Sequence, residues 1–133
     1  MANALYAKGR EAFLGGDIGA DSDDLRLILS DAADYTKNLS TDDFLNDVAA
    51  GARVAVSSAL ASKTITNGTL DAADKTLSAV TGDVAEEVIL YKHTGAESTS
   101  NLIANWDTGT GLPVTPNGGD IVIAFNASGL FTL

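Results

Sequence analysis

With 133 residues, 45% of them hydrophobic and 20% charged, the chain has the length of one domain and can form a core without metal or disulfide staples. Eighteen acidic against eight basic side chains give a formal net charge of -10, the wrong footprint for nucleic acid or an anionic membrane surface. Cysteine is absent, which excludes disulfides, thiolate metal centres and thiol nucleophiles.

The segment from Asn3 to Leu14 reads as a short helix, with Asn3 as its cap and Leu5 and Tyr6 meeting Ala12 and Phe13 one heptad on. Gly15 and Gly16 end it, and an acidic loop from Asp17 to Asp24 follows. In Leu25-Arg26-Leu27-Ile28-Leu29 three leucines alternate along one face of a strand. Residues 30–52 are polar, with a capped helical turn expected over Thr41–Leu45. Strand patterns resume with Val54, Val56, Ser58 and Leu60, and Asn67-Gly68 is a strong hairpin signal. Leu77–Val80, Glu87–Tyr91 and Leu102–Trp106 are further strands, followed by a Gly/Pro-rich loop from Asp107 to Asp120. Ile121–Phe125 is apolar on both faces and is expected at the centre of a sheet, with Leu130–Leu133 closing the chain. Roughly seven short strands between turn signals predict a mainly β fold, an antiparallel β-sandwich or partly closed barrel with a short N-terminal helix. Residues 1–18 form the helix or arm, and residues 19–133 a single β-rich domain. The start of the chain lacks the basic-then-apolar order of a signal peptide, and no apolar run is long enough to cross a bilayer. Synthesis and folding in the cytoplasm are expected.

Few residues invite a chemical reading. Asp107-Thr108-Gly109 has the Asp-Thr-Gly signature of aspartic proteases, which a dimer of short chains could complete; it is also an ordinary turn after a strand. His93 is the single histidine, so one chain cannot build a multi-histidine metal site, and no Gly-x-Ser-x-Gly elbow accompanies it. Asp17, Asp21, Asp23 and Asp24 offer oxygen ligands for Ca²⁺ but lack the spacing of an EF-hand. Gly118-Gly119 is not followed by the Lys-Ser/Thr of a phosphate loop. Asn-x-Ser/Thr triplets occur at Asn38, Asn67 and Asn126 and are incidental without secretion. Tyr91 and Trp106 end their strands, as core packing or as an exposed patch. No enzyme, cofactor or metal site is expected.

Several stretches resemble a family of small virion proteins of tailed phages. They are residues 5–18 (LYAKGREAFLGGDI), Asp31-Ala32-Ala33-Asp34-Tyr35-Thr36, Asp42-Asp43-Phe44-Leu45, Ala79-Val80-Thr81-Gly82-Asp83 and residues 111–121 (GLPVTPNGGDI). The similarity spans nearly the whole chain, and departs from the family after Ile18, where Gly19-Ala20-Asp21 stands in place of an aromatic residue. The resemblance implies a capsid decoration or cement protein. Its partner would be the major capsid protein, its place the capsid surface of the virion, and its site of synthesis the bacterial host cytoplasm. Homo-oligomerisation is left open. An alternative is a tail or head-fibre component that binds a host surface glycan through Tyr91, Trp106 and the loop Asp107–Asp120. Termini and long loops are the segments that a thin sandwich leaves for partners, so the contacts are expected from Leu5, Tyr6, Lys8, Arg10, Phe13, Leu112, Pro113 and Pro116. Removal of Met1–Leu14 is expected to leave a folded domain.

Overall fold

The computed structural model describes residues 3–133. In chain order its elements are β1 (Ala4–Leu5), α1 (Ala7–Leu14), β2 (Leu25–Ser30), β3 (Arg53–Val56), β4 (Thr64–Thr66), β5 (Thr69–Asp71), β6 (Lys75–Leu77), β7 (Glu87–Lys92), β8 (Leu102–Trp106), β9 (Ile121–Ile123) and β10 (Phe131–Thr132). With 31% strand against 13% helix the fold is mainly β, as the short alternating runs predicted. It is sandwich-like, and the described residues form three antiparallel sheets and no closed barrel. The main sheet runs β1-β8-β7-β2-β3, and the smaller ones run β10-β5-β4 and β6-β9.

The leucine alternation in β2 has the expected consequence. Leu25, Leu27 and Leu29, beside Val88 and Leu90 of β7, enter one core with Leu70 of β5 and Leu77 of β6. The opposite face of the same strands is buried too. Ile28, Ile89 and Tyr91 pack there with Tyr35, Leu45 and Val48 from the polar segment 31–52. That segment therefore serves as a layer of the fold without forming a strand. Its polar side chains serve its own turns: Asp31 Oδ1 accepts from Ala33 N, Asp42 Oδ2 from Asn38 N and Asp47 Oδ2 from Asp43 N. A short 3-10 turn over Leu45–Asp47 stands just after the expected helical turn.

The Asn-Gly signal is realised between β4 and β5. Asn67 and Gly68 take φ of 51° and 78°, the left-handed pair that a two-residue hairpin requires. By contrast, Ile121–Phe125 does not lie at a sheet centre. Only Ile121–Ile123 is strand, it pairs with β6 alone, and Val122 is 60% exposed. The central places belong to β2 and β7, six residues each, which can pair along their full lengths.

The N-terminal segment is part of the main sheet. Ala4 and Leu5 pair with Asn105 and Ala104, the helix starts only at Ala7, and Tyr6 is wholly buried. Asn3 ties down the turn after β8 instead of capping the helix: its Oδ1 accepts from Asp107 N at 3.0 Å and Thr108 N at 3.1 Å. Residues 4–14 thus contribute a strand and the buried Tyr6 to the described fold, and their removal would take both away. The loop Asp107–Asp120 is likewise anchored. Val114 and Ala85 exchange backbone hydrogen bonds at 2.9 Å, and Gly118 and Gly119 bond Val80.

The glycine of Lys8-Gly9-Arg10 has a packing reason. A Cβ at Gly9 would stand 2.6 Å from Leu102 O and 3.1 Å from Ile103 Cα, so only glycine lets α1 lie on β8. Gly9→Ala is expected to destabilise the fold by about 1–3 kcal/mol through backbone displacement, exceeding the roughly 1 kcal/mol gain in helix propensity. Chemical denaturation of both proteins measures the difference.

Candidate functional site

Between the main sheet and the segment 31–52 lies a buried polar cluster centred on Lys37. Glu87 begins β7, and Asn105 and Asp107 project from the end of β8 and the residue just past it. Lys37 descends from the covering segment, with its Nζ 2.9 Å from Glu87 Oε2, 2.7 Å from Asp107 Oδ2 and 3.0 Å from Asn105 Oδ1. The three charged side chains are 13%, 5% and 14% exposed for Lys37, Glu87 and Asp107. Removing charges from water costs several kcal/mol per ion, which short hydrogen-bonded pairs must offset. Burial pulls the Lys37 pKa down, but the Asp107 and Glu87 carboxylates outweigh it and hold the ammonium above its usual value. The hydrogen bond from Lys37 holds the Asp107 carboxyl below the usual carboxylate range, against the opposing effect of burial. Ser30 Oγ and Glu87 Oε1 are buried with no hydrogen-bond partner among the described residues.

From Asn105 a directed chain of hydrogen bonds runs to the surface. Asn105 Nδ2 donates to the Tyr6 hydroxyl at 3.2 Å, the Tyr6 and Tyr35 hydroxyls lie 2.9 Å apart, and Tyr35 donates to Asp42 Oδ2 at 2.6 Å. Because the Tyr35 proton points to Asp42, Tyr6 must donate to Tyr35. Burial pushes the Tyr6 phenol from 10.0 up to about 12, with its hydrogen bonds to Tyr35 and Asn105 acting against the shift. Tyr35 is raised as well, first by burial and then by Tyr6 and Asp42. The cluster thus holds an amine, a carboxamide and a carboxylate capable of accepting a proton within hydrogen-bonding reach of one another.

The residues expected to make contacts separate into different environments. Tyr6 is buried in the polar cluster. Leu5 and Leu112 are half-buried against the leucine core, as is Phe13, whose ring centroid lies 6.0 Å from that of Phe131. Pro116 is half-buried, while Arg10 and Pro113 are exposed. Lys8 pairs with Glu11 at 3.1 Å on the same helix. Leu14, at the end of α1, is 85% exposed. An open cleft of about 290 Å³ beside the helix is lined by Leu5, Trp106, Leu130 and Phe131, among others. A second, of about 320 Å³, lies between β3 and residues 76–81.

Several of the candidate chemical residues make structural contacts. Asp107 pairs with Lys37, and Thr108 with Asn3. His93 is half-buried, its ring set edge-on to Tyr91 with centroids 6.1 Å apart. Tyr91 is 2% exposed and offers no stacking face, and Trp106 is half-buried. In the acidic loop Asp23 accepts from Gly19 N and pairs with Lys92, and Asp24 is bidentate to Arg26. A different trio, Asp31, Asp34 and Asp83, brings one carboxylate oxygen each within 4.8 Å of the others and has the hard oxygen donors that a divalent cation takes. Among the described residues no helix is long and apolar enough to cross a membrane. Comparison with known proteins matches the chain to no family model and to no curated protein.

Sequence reasoning singled out Asp107 and Tyr6 but not their connection to Lys37, Glu87 and Asn105. A signal was available in Glu87, an acid opening a run of four buried apolar residues, and in Asn105, a carboxamide inside another. Lys37→Met is expected to cost about 3–5 kcal/mol, because it leaves buried carboxylates without their cation; urea unfolding checks this, with Lys8→Met as the exposed control. The phenols also set an alkaline limit. Their folded values lie above the ordinary 10.0, so this contribution to stability is complete below 10.0 and is lost as pH rises toward the Tyr6 value of about 12. Ultraviolet titration is expected to show tyrosine ionisation coinciding with loss of folded circular dichroism.

Proposed function

We propose that the protein is a structural component of a tailed-phage virion that binds and stabilises the capsid shell as a decoration or cement protein. The reading rests on the resemblance, read from the sequence, of residues 5–18 and 111–121 to small phage virion proteins. The fold is compatible with the task. Rigid strands and an anchored long loop present a fixed surface, and a net charge of -10 favours a basic patch on the partner. The major capsid protein is the partner of this reading, and the capsid surface its location.

The contact surface that the structure offers for this role is smaller than the eight residues named from sequence. Its exposed members are Arg10 and Leu14, four residues apart on α1, and Pro113, while Leu5 and Phe131 line an open cleft. Arginine is enriched among binding hot spots, and an exposed leucine near it adds apolar area that a partner could bury.

Purified virions provide the direct test. The chain is expected in the capsid fraction, and Leu14→Asp is expected to weaken shell binding about tenfold or more, equivalent to roughly 1.4 kcal/mol. Circular dichroism of the variant should be unchanged, because Leu14 is exposed. Absence from particles, or confinement to the tail, would overturn the capsid reading.

A further inference from the structure

We propose that Lys37 and Asn105 become joined by an intramolecular isopeptide bond, with Glu87 as the catalytic proton carrier. The reacting groups are already assembled. Lys37 Nζ lies 3.0 Å from Asn105 Oδ1, one covalent bond from the amide carbon, and 2.9 Å from Glu87 Oε2. Asn105 is 1% exposed and Glu87 3%, and Ile89 stands opposite Asn105 on the neighbouring strand. Bulk water, the competing nucleophile, is therefore kept away, while held proximity supplies the entropy that such a reaction otherwise lacks. Glu87 also keeps one oxygen, Oε1, buried without a hydrogen-bond partner among the described residues. A carboxyl group that carries a proton has a use for that site.

The step balances without any redox change. A proton passes from the Lys37 ammonium to Glu87 Oε2, leaving a neutral amine whose lone pair attacks Asn105 Cγ once the amide turns its face to it. As the C–N bond forms, the carbonyl electron pair moves onto Oδ1, and the protonated Glu87 donates a hydrogen bond to that oxygen. A second Nζ proton is delivered to Nδ2, the Cγ–Nδ2 bond breaks, and ammonia leaves. It departs as ammonia, and Glu87 keeps the proton taken from Lys37 as a neutral carboxyl group. An ammonium, a carboxamide and a carboxylate thus become a secondary amide, ammonia and a carboxylic acid, so the cluster loses one positive and one negative charge together.

The neighbours have distinct parts. Tyr6 accepts a hydrogen bond from Nδ2 at 3.2 Å and holds the departing nitrogen away from the amine, which makes it a positioning residue. Asp107, although 2.7 Å from Nζ, is ionised, and the carbon of a carboxylate anion resists nucleophiles. The neutral carboxamide is the acceptor. The bond would close a loop between positions 68 residues apart in a chain that has no cysteine to do so. Such a link restricts the unfolded chain as a disulfide does.

Intact-mass measurement of the full chain tests this directly. The expected mass is that of the sequence less one ammonia, and a digest is expected to yield a branched peptide joining the segments that hold Lys37 and Asn105. Asn67-Gly68 and Asn117-Gly118 can also lose ammonia, by succinimide formation, but mild alkali opens a succinimide and leaves the isopeptide intact. The loss should disappear in Lys37→Arg, Asn105→Ala and Glu87→Gln, with circular dichroism reporting whether each variant folds. An unmodified mass for the folded wild-type chain would overturn the proposal without reference to any variant. A loss of water, mapped to Lys37 and Asp107, would overturn the assignment of Asn105 as acceptor. A branched peptide that persists in folded Glu87→Gln would remove Glu87 from the reaction.

Discussion

The Lys37 ammonium, before any bond to Asn105 forms, organises the interior face of this protein. Lys37 meets Glu87, Asn105 and Asp107 at 2.7–3.0 Å, and so joins the segment 31–52 to the two strands that carry those groups. Without that cation the carboxylates would face one another under a cover that excludes solvent, an arrangement that low dielectric penalises heavily. The polar cover, the strand ends and the N-terminal tyrosine are arranged around this requirement. Apolar packing provides most of the driving force on the other face, but it does not specify where residues 31–52 must sit.

The two faces of the main sheet therefore work by different physics. On the leucine side, β2 and β7 bury aliphatic side chains against the two smaller sheets, and small errors in shape can be accommodated by repacking. On the other side the contacts are directional. Tyr6, Tyr35 and Asn105 each have a partner at a fixed distance, and moving one breaks a chain that ends on Asp42. Specificity of this kind explains why the first residues are built into the fold: Tyr6 closes the network, and the close approach of Gly9 to β8 brings α1 into place behind it.

Such an interior suits the proposed role, in which the protein stays rigid on a shell. The exterior is acidic, with Leu14 exposed at the end of α1 and an open cleft lined in part by Leu5, Trp106, Leu130 and Phe131. Function on this reading lies in surface complementarity, and the buried chemistry serves to hold that surface in shape.

Local signals in the sequence determined the mainly β class, the alternation of β2, the Asn67-Gly68 hairpin and the end of the helix at Gly15-Gly16, because each depends on neighbours in the chain or on backbone conformations that few residues adopt. The same kind of reading placed Ile121–Phe125 at a sheet centre, since a run of apolar residues records hydrophobicity but not the number of strands available to flank it. It also took Asn3 as a helix cap, whereas Asn3 serves a turn more than 100 residues away. Only the tertiary structure could bring Lys37 to Glu87 and Asn105, or show that Tyr6 belongs to the core. Charges and hydroxyls carry no periodicity that marks burial, and their partners are chosen by the packing of distant segments rather than by spacing along the chain.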